Sequence, residues 1–325
     1  MATATVMMPK KTNNGRDKLD WSQEIWDRID VAVHDEAMRT KVASKFLPIQ
    51  PVPADTRYAP SDIINNPISA TDPNRALTID EGATTSLFEI WVEFALTPQQ
   101  VESEADLRTA VTLATRATNI LSQAEDLLIF QGQNAFNNIL FNKGVVQSRG
   151  KPADEGLLNE LPNDLLPTDQ VVKVLPANQS GSPIRYAENT FAAVAEGYSK
   201  LQGKGQYGPY ALVLQSFPYA DTFAPLKDTL IMPADRIRPL VTAGFYGTGT
   251  LPTSNPSGQD PSAAKPQFTG LLVSLGGDSM DVVVGLDATA CFQQQDTNGA
   301  YRFRVVERFA LRLKDTQAVI RLEFQ

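Results

Sequence analysis

The chain has 325 residues, 42% hydrophobic and 20% charged, enough for a sizeable buried core and for one to three domains. Its 29 basic and 37 acidic residues leave a net charge of −8, which argues against sequence-independent nucleic-acid binding, because that needs a cationic field. A single cysteine, Cys291, excludes an intrachain disulfide. A single histidine, His34, excludes a histidine-rich zinc site and leaves any catalytic triad only that residue to build on. Carboxylate and magnesium chemistry stay open. No apolar run approaches the ~18 residues of a membrane span. Met1 to Asp20 has no apolar signal core, so a cytoplasmic location is expected.

The N-terminus is polar, small and without period, with Lys10, Lys11, Arg16 and Lys18 making it basic, and residues 1–18 are expected to be a disordered tail. Leu19 to Phe46 reads as a helix: Trp21, Ile25, Ile29 and Val33 recur every fourth residue, Asp20 or Ser22 can cap the start, and Pro48, Pro51 and Pro53 stop it. Pro51 to Gly82 is rich in proline and has little period. A stretch so long without a core of its own is functional or held by a partner. Leu87 to Leu96 then alternates strictly, with Phe88, Ile90, Val92, Phe94 and Leu96 on one face and Glu89, Trp91 and Glu93 on the other. Together the two pieces read as an extended arm that returns on itself.

Ser103 to Gln131 is the clearest helix. Leu107, Ala110, Ala114, Ala117, Leu121, Ala124 and Leu128 step by three and four, Ser103 and Asp106 resemble a capping box, and Gly132 ends it. After a loop-rich stretch, Arg185 to Leu201 is a second amphipathic helix. Strands are expected at Tyr210–Leu214, Leu271–Ser274, Asp281–Leu286, Tyr301–Leu313 and Gln317–Phe324, the last two as a hairpin around Lys314-Asp315-Thr316. Thr242 to Gln267 reads as a surface loop.

Gly203-Lys-Gly205-Gln-Tyr-Gly208 matches a dinucleotide fingerprint in letters only. A helix precedes it and a strand follows, the reverse of what pyrophosphate binding needs, so a helix end leading into a turn is expected. Gly247-Thr-Gly249 lacks the lysine and hydroxyl residue of a phosphate loop, and Asn178-Gln-Ser180 is a glycosylation site in form only. Glu125 and Asp126 point about 100° apart on a helix and do not converge alone, which favours ion-pair or capping roles. His34 reads as a solvated histidine and Cys291 as a small buried hydrophobe. No catalytic constellation emerges, and a non-enzymatic role is expected.

Four segments resemble the encapsulin (linocin-type) family: Trp26-Asp-Arg-Ile29-Asp30 followed by Lys45-Phe46; Glu125-Asp126-Leu-Leu-Ile129-Phe130-Gln-Gly132; Gly208-Pro209-Tyr210-Ala-Leu-Val213-Leu; and a C-terminal set. That set is Gly276-Gly277-Asp278, Gly285-Leu286-Asp287, Glu307-Arg-Phe309 and Ala318 to Phe324, with Gly156-Leu157-Leu158 as a weaker match. Order and spacing extend over nearly the whole chain. The resemblance implies an α+β fold of the HK97-like capsid type, with copies closing into an icosahedral shell around a cargo enzyme. That cargo is commonly a dye-decolorising peroxidase or a ferritin-like protein, held by a C-terminal targeting peptide near the N-terminal helix.

The implied organisation is a tail at 1–18, an N-terminal helix at 19–50 and an E-loop at 51–102. A peripheral domain with the spine helix follows at 103–230, completed by 301–325, and an axial domain at 231–300. Trp21, Ile25, Trp26, Ile29 and Val33 are the expected cargo-peptide residues, with Trp26, off the stripe's centre, partly facing the lumen. Phe88, Ile90, Val92 and Phe94 are expected where the E-loop meets a neighbouring copy, and Gly244, Phe245, Tyr246 and Gly247 in a pore loop. Two stretches, 133–185 and 242–267, are longer than the family's. Some members bind flavin at a tryptophan before the returning strand. Ile79 stands there, so no cofactor is carried over. The alternative is a tailed-virus major capsid protein enclosing DNA. The short segment before the first helix favours the compartment.

Overall fold

The computed structural model describes residues 14–65, 77–80, 82–150, 156–158, 168–177, 185–225, 230–253 and 268–325. The elements run α1 (Gln23–Thr40), β1 (Ile49–Pro51), β2 (Tyr58–Pro60), β3 (Ile63–Asn65), β4 (Thr78–Asp80), β5 (Thr84–Ser86), β6 (Phe88–Leu96), α2 (Pro98–Glu102), α3 (Glu104–Leu107) and α4 (Thr109–Gln131). Then come α5 (Ile139–Asn142), β7 (Gln147–Arg149), β8 (Val171–Val174), α6 (Ala187–Gly203), β9 (Tyr210–Gln215), α7 (Ser216–Asp221), α8 (Pro233–Ile237), β10 (Gly244–Thr248), β11 (Phe268–Ser274), β12 (Met280–Gln295), β13 (Tyr301–Leu313) and β14 (Val319–Phe324).

Two five-stranded sheets organise the chain, in the orders β1-β12-β13-β6-β7 and β10-β9-β11-β14-β8. The first is covered by α1 and α4, the second by α6. The apolar core is continuous between them: Val213, Val273 and Val319 of the second sheet join Ile90, Phe303 and Leu311 of the first.

The expected domain boundaries do not follow this division. The line at 230/231 cuts the second sheet between β9 and β11. The stretch 231–300 takes in β12, which belongs to the first sheet, and β14 completes the second sheet rather than the first. The expected hairpin of the last two strands is likewise absent. Tyr301–Phe309 pairs with β6, while β14 lies antiparallel to β11 and parallel to β8. Lys314 and Asp315 carry the chain from one sheet to the other, their amides both donating to Ser279 O. Alternation fixes which side chains share a face but not which strand is the neighbour.

The long helix starts later than its periodicity suggests. Arg108 sits at φ 52°, breaking α3 from α4, and the buried Glu104 carboxylate accepts from Ala110 N (2.7 Å) and Val111 N (3.3 Å), capping α4. Leu107 is therefore off the apolar face and exposed, and the capping box is formed by Thr97 and Gln100 at α2, not by Ser103 and Asp106. From there the expected stripe holds. Ala110, Ala114, Ala117, Leu121, Ala124 and Leu128 are all buried, and the small alanine side chains let α1 lie close along α4. Gly132 ends the helix, and Leu157 N and Leu158 N donate to Ile129 O and Phe130 O at that end. A Cβ at Gly156 would collide with the backbone of Phe130, Gln131 and Gly132, so only glycine fits there.

β6 shows the expected two faces, but its partner is β13 of the same chain. Phe88, Ile90 and Val92 are buried in the protein's own core, Ile90 completely. These side chains are covered within the chain itself, and Phe94 is stacked on Phe303 of the same chain. Ile90→Ala is accordingly expected to lower the stability of the single chain itself by about 2–5 kcal/mol, from lost transfer energy and the cavity left behind. Chemical denaturation with an unchanged m-value would register the loss. Wild-type stability in the variant would place Ile90 outside the core.

Candidate functional site

Three surfaces were expected to carry function. The first is the N-terminal helix. Residues 14–18, expected within the tail, are ordered: Asn14 O accepts from Phe292 N, and Arg16–Lys18 forms a short 3₁₀ turn. Arg16 donates through both terminal nitrogens to Asp30 (2.8 and 2.6 Å) and lies 4.6 Å over the Trp26 ring. Residues 1–13 of the expected tail lie outside the described residues.

Ile25, Trp26, Ile29 and Val33 are all buried, Trp26 at 3% exposure and not partly open to a lumen. Trp21 is half-buried, stacked on Phe303 with centroids 5.3 Å apart, and its indole N–H donates to Val101 O. Trp21, Trp26, Phe94, Phe292 and Phe303 form one aromatic cluster. The stripe thus fastens the helix to the first sheet, and its apolar side chains are occupied. A side chain 100° from the stripe's centre is still within reach of a wide sheet, which is why Trp26 is covered.

What stays open beside the helix is a polar cleft of about 570 Å³ between its start and β12. Asn14, Asp17, Gln23, Asp30, Asp287 and Thr289 line it together with Trp21, Trp26, Leu286 and Ala288.

The second surface is the arm. Two short ladders build it, β2 with β5 and β3 with β4. It is not unanchored. Ala59 and Leu87 pack on Val283 and Ala310, and Arg308 donates to Ala54 O. Arg312, 5% exposed, donates to Asp281 (2.7 and 2.6 Å), Pro60 O (3.1 Å), Asp62 (2.7 Å) and Gln50. Burial works against the Asp281 carboxylate, but Arg312 and Lys314 outweigh it and hold its pKa below the ordinary range. Beyond this clamp the arm leaves the core. Tyr58, Ile63, Leu77 and Ile79 are 65%, 41%, 70% and 55% exposed. Residues 66–76 and 81 lie outside the described residues.

The third surface, the expected pore loop, is in part a strand. Gly244–Thr248 pairs parallel with β9 at the edge of the second sheet. Phe245 packs edge-on against Tyr219, and Tyr246 stacks on Phe46, its centroid 5.9 Å away. The glycines and the Gly-Thr-Gly letters suggested a loop, but the aromatic pair between them has packing partners on two elements. Residues 254–267 lie outside the described residues.

The remaining readings stand as follows. Gly203 closes α6, and Gly205 turns at φ 78°, so the fingerprint letters form a helix end and turn. His34 is exposed. Cys291 is buried, and burial pushes its thiol up. Glu125 and Asp126 do take ion-pair and capping roles: Glu125 lies 2.8 Å from Lys41 Nζ, and Asp126 accepts from Val42 N and Ala43 N. Sequence reasoning missed Lys41, which carries no motif, and its pairing with both Glu125 and Glu307. Among the described residues there is no cluster able to hold a metal ion, and no helix is long and apolar enough to cross a membrane.

A helix lying on a long spine helix, a two-stranded arm projecting from the first sheet and a second mixed sheet with its own helix define an HK97-like coat-protein fold. The chain shares it with a virus-like particle from Pyrococcus furiosus (TM-score 0.58, 16% identity, 92% of this chain and all of that one). It also shares it with the empty capsid of a GTA particle (TM-score 0.53, 14% identity, 88% and 96%). Within that class the chain is similar to encapsulin shell proteins. Residues 172–257 match the linocin M18 family, described as encapsulating protein for peroxidase. The type 1 encapsulin shell protein EncA of Myxococcus xanthus is 25% identical over 93% of both chains. A diheme-cytochrome–encapsulin shell fusion protein of Kuenenia stuttgartiensis is 25% identical over 94% of this chain and 74% of its own.

The Arg312 clamp gives the arm a checkable anchor. Removing one partner of a buried pair leaves the other charge uncompensated, so Arg312→Ala is expected to cost about 3–5 kcal/mol. In limited proteolysis residues 55–86 of this variant should be cut well before the rest of the chain. Cleavage there at the wild-type rate would show that the arm is held by other contacts.

Proposed function

We propose that the chain builds a closed icosahedral shell in the cytoplasm around a cargo protein and has no catalytic role of its own. The arm supports this reading best. It carries Tyr58, Ile63, Leu77 and Ile79 largely exposed, while its base is fixed by Arg312 and by Ile64 N donating to Lys314 O. An apolar surface on a rigidly rooted projection is covered at no cost in single-chain stability when a second copy meets it. The net charge of −8 and the full-length similarity to named encapsulin shells favour a protein cargo over packaged DNA.

Cargo docks in the cleft beside the N-terminal helix, where half-buried Trp21 is the one member of the stripe still open, the rest being covered. A short peptide from a peroxidase or ferritin-like protein would pay an ordering cost there. Modest affinity per site, repeated around the shell, compensates for it.

The purified chain is expected to sediment as a megadalton particle with little absorbance from nucleic acid. A stable monomer or dimer would sink the shell reading, and a particle filled with DNA would favour the viral one. For the docking site, Gln23→Arg with Thr289→Arg fills the cleft without touching the stripe. Shells of this variant, co-expressed with a peroxidase or ferritin-like protein bearing a C-terminal targeting peptide, should form normally and emerge empty. Shells loaded to the wild-type level would move the docking site elsewhere.

A further inference from the structure

Behind the N-terminal helix lies a buried charge junction whose signs do not balance. Lys41, just past the end of α1, places its ammonium 2.8 Å from Glu125 on α4, in contact with Glu307 on β13, and 3.4 Å from Asp287 on β12. Lys41, Glu125 and Glu307 have side chains 8%, 2% and 0% exposed, whereas Asp287 is 67% exposed and stays with solvent. Asp126, adjacent on α4 and 2% exposed, accepts from Val42 N and Ala43 N. One buried cation thus faces three buried carboxyl groups. The second Glu307 oxygen, Oε2, is buried with no hydrogen-bond partner among the described residues. Glu36 faces the next turn of the same helix contact, where Arg39, Thr40 and Asn119 satisfy it.

We propose that this junction is a proton-operated latch between the N-terminal helix and the spine, closed while one of its carboxyls keeps a proton and loosened when that proton leaves in mildly alkaline solution. Three ionised carboxylates around one ammonium would leave uncompensated negative charge in a low-dielectric core, which is strongly unfavourable. Keeping a proton is the cheaper state. Burial raises Glu307 well above the ordinary carboxylate range, and Glu125 adds to the shift. Burial likewise pushes Asp126 up to about 7, against the lowering effect of its backbone donors. Burial would lower Lys41, but Glu125, Glu307 and Asp287 outweigh it and hold it well above 10.5.

The signs agree. A folded-state pKa above the unfolded value gives stability that is complete below the unfolded value and is lost as pH rises to the folded one, so the Asp126 share is gone by about pH 7, and Glu307, raised well above its ordinary value, carries the loss onward with pH. Asp281, with its pKa depressed, acts only at the acid end, where stability is lost as pH falls. The single histidine, His34, is exposed and outside the junction. The buried Cys291 thiol, pushed up by burial, adds its own slope only toward pH 9, so a steep dependence between pH 6 and 8 reports on the junction.

The test follows thermal unfolding and sedimentation of the full chain from pH 6 to 9. Wild-type midpoints should fall across this range, the folding equilibrium losing up to tenfold per pH unit for each proton released. Glu307→Gln fixes that side chain neutral, so its profile should flatten and its midpoint at pH 9 should exceed the wild type's. If Glu307→Gln does not fold, Glu125→Gln, which leaves Lys41 facing one fewer carboxylate, should flatten the profile in the same way. A flat wild-type profile, or a variant as steep as the wild type, overturns the latch. Sedimentation tests the shell separately: small species at every pH would count against the shell and leave the unfolding slopes to decide the latch.

Discussion

The fold turns on the point where the chain leaves its first helix. Lys41, Val42 and Ala43 meet Glu125 and Asp126 on the spine helix and Glu307 on the central strand of the first sheet. Three elements far apart in sequence are fixed there by charged hydrogen bonds with little solvent to weaken them. The N-terminal helix can lie along the spine only because this corner holds its end. At its other end the Trp21–Trp26–Phe303 cluster does the same work with apolar contact. Between them the alanines of the spine bring the two helices close.

The second sheet depends on a different constraint. Its five strands come from both sides of the first sheet's long antiparallel pair, and the chain passes between layers at Ser274–Met280 and again at Lys314–Val319. Lys314 is paired with Asp278 (2.7 Å) and Asp281 (2.9 Å), tying both crossings together. Arg312, one layer away, extends the same network to the root of the arm. One acidic residue, Asp281, therefore links the sheet crossing to the element that reaches out from the core.

Much of the fold was legible in the residues. Strict alternation marked β6 and β14, three- and four-residue steps marked α4 and α6, and Gly132 marked a helix end. The order of short motifs carried the resemblance to a shell family, and the full-length relatives agree with it. Pairing was not legible, because alternation in β6 looks the same whether its neighbour lies in this chain or another. The same limit misplaced the hairpin. At the sites, an apolar stripe on α1 could be a groove or a seam, and the aromatic residues awaiting it on β12 and β13 made it a seam. Arg108 and Glu104 show a third limit: a helix restart set by a left-handed residue and a distant carboxylate cap leaves no periodic trace.

Strand order also governs when the molecule can become itself. Phe88 waits for Phe309, and Val171 to Val174 reach the second sheet only through β14. Until the late strands emerge from the ribosome, neither sheet can close and the arm has no Arg312 to root it. Such non-local pairing makes folding slow. It also gives synthesis a built-in order, because β6 and β8 stay without their partners until β13 and β14 follow. Any contact that needs closed sheets or a rooted arm has to wait for β13 and β14.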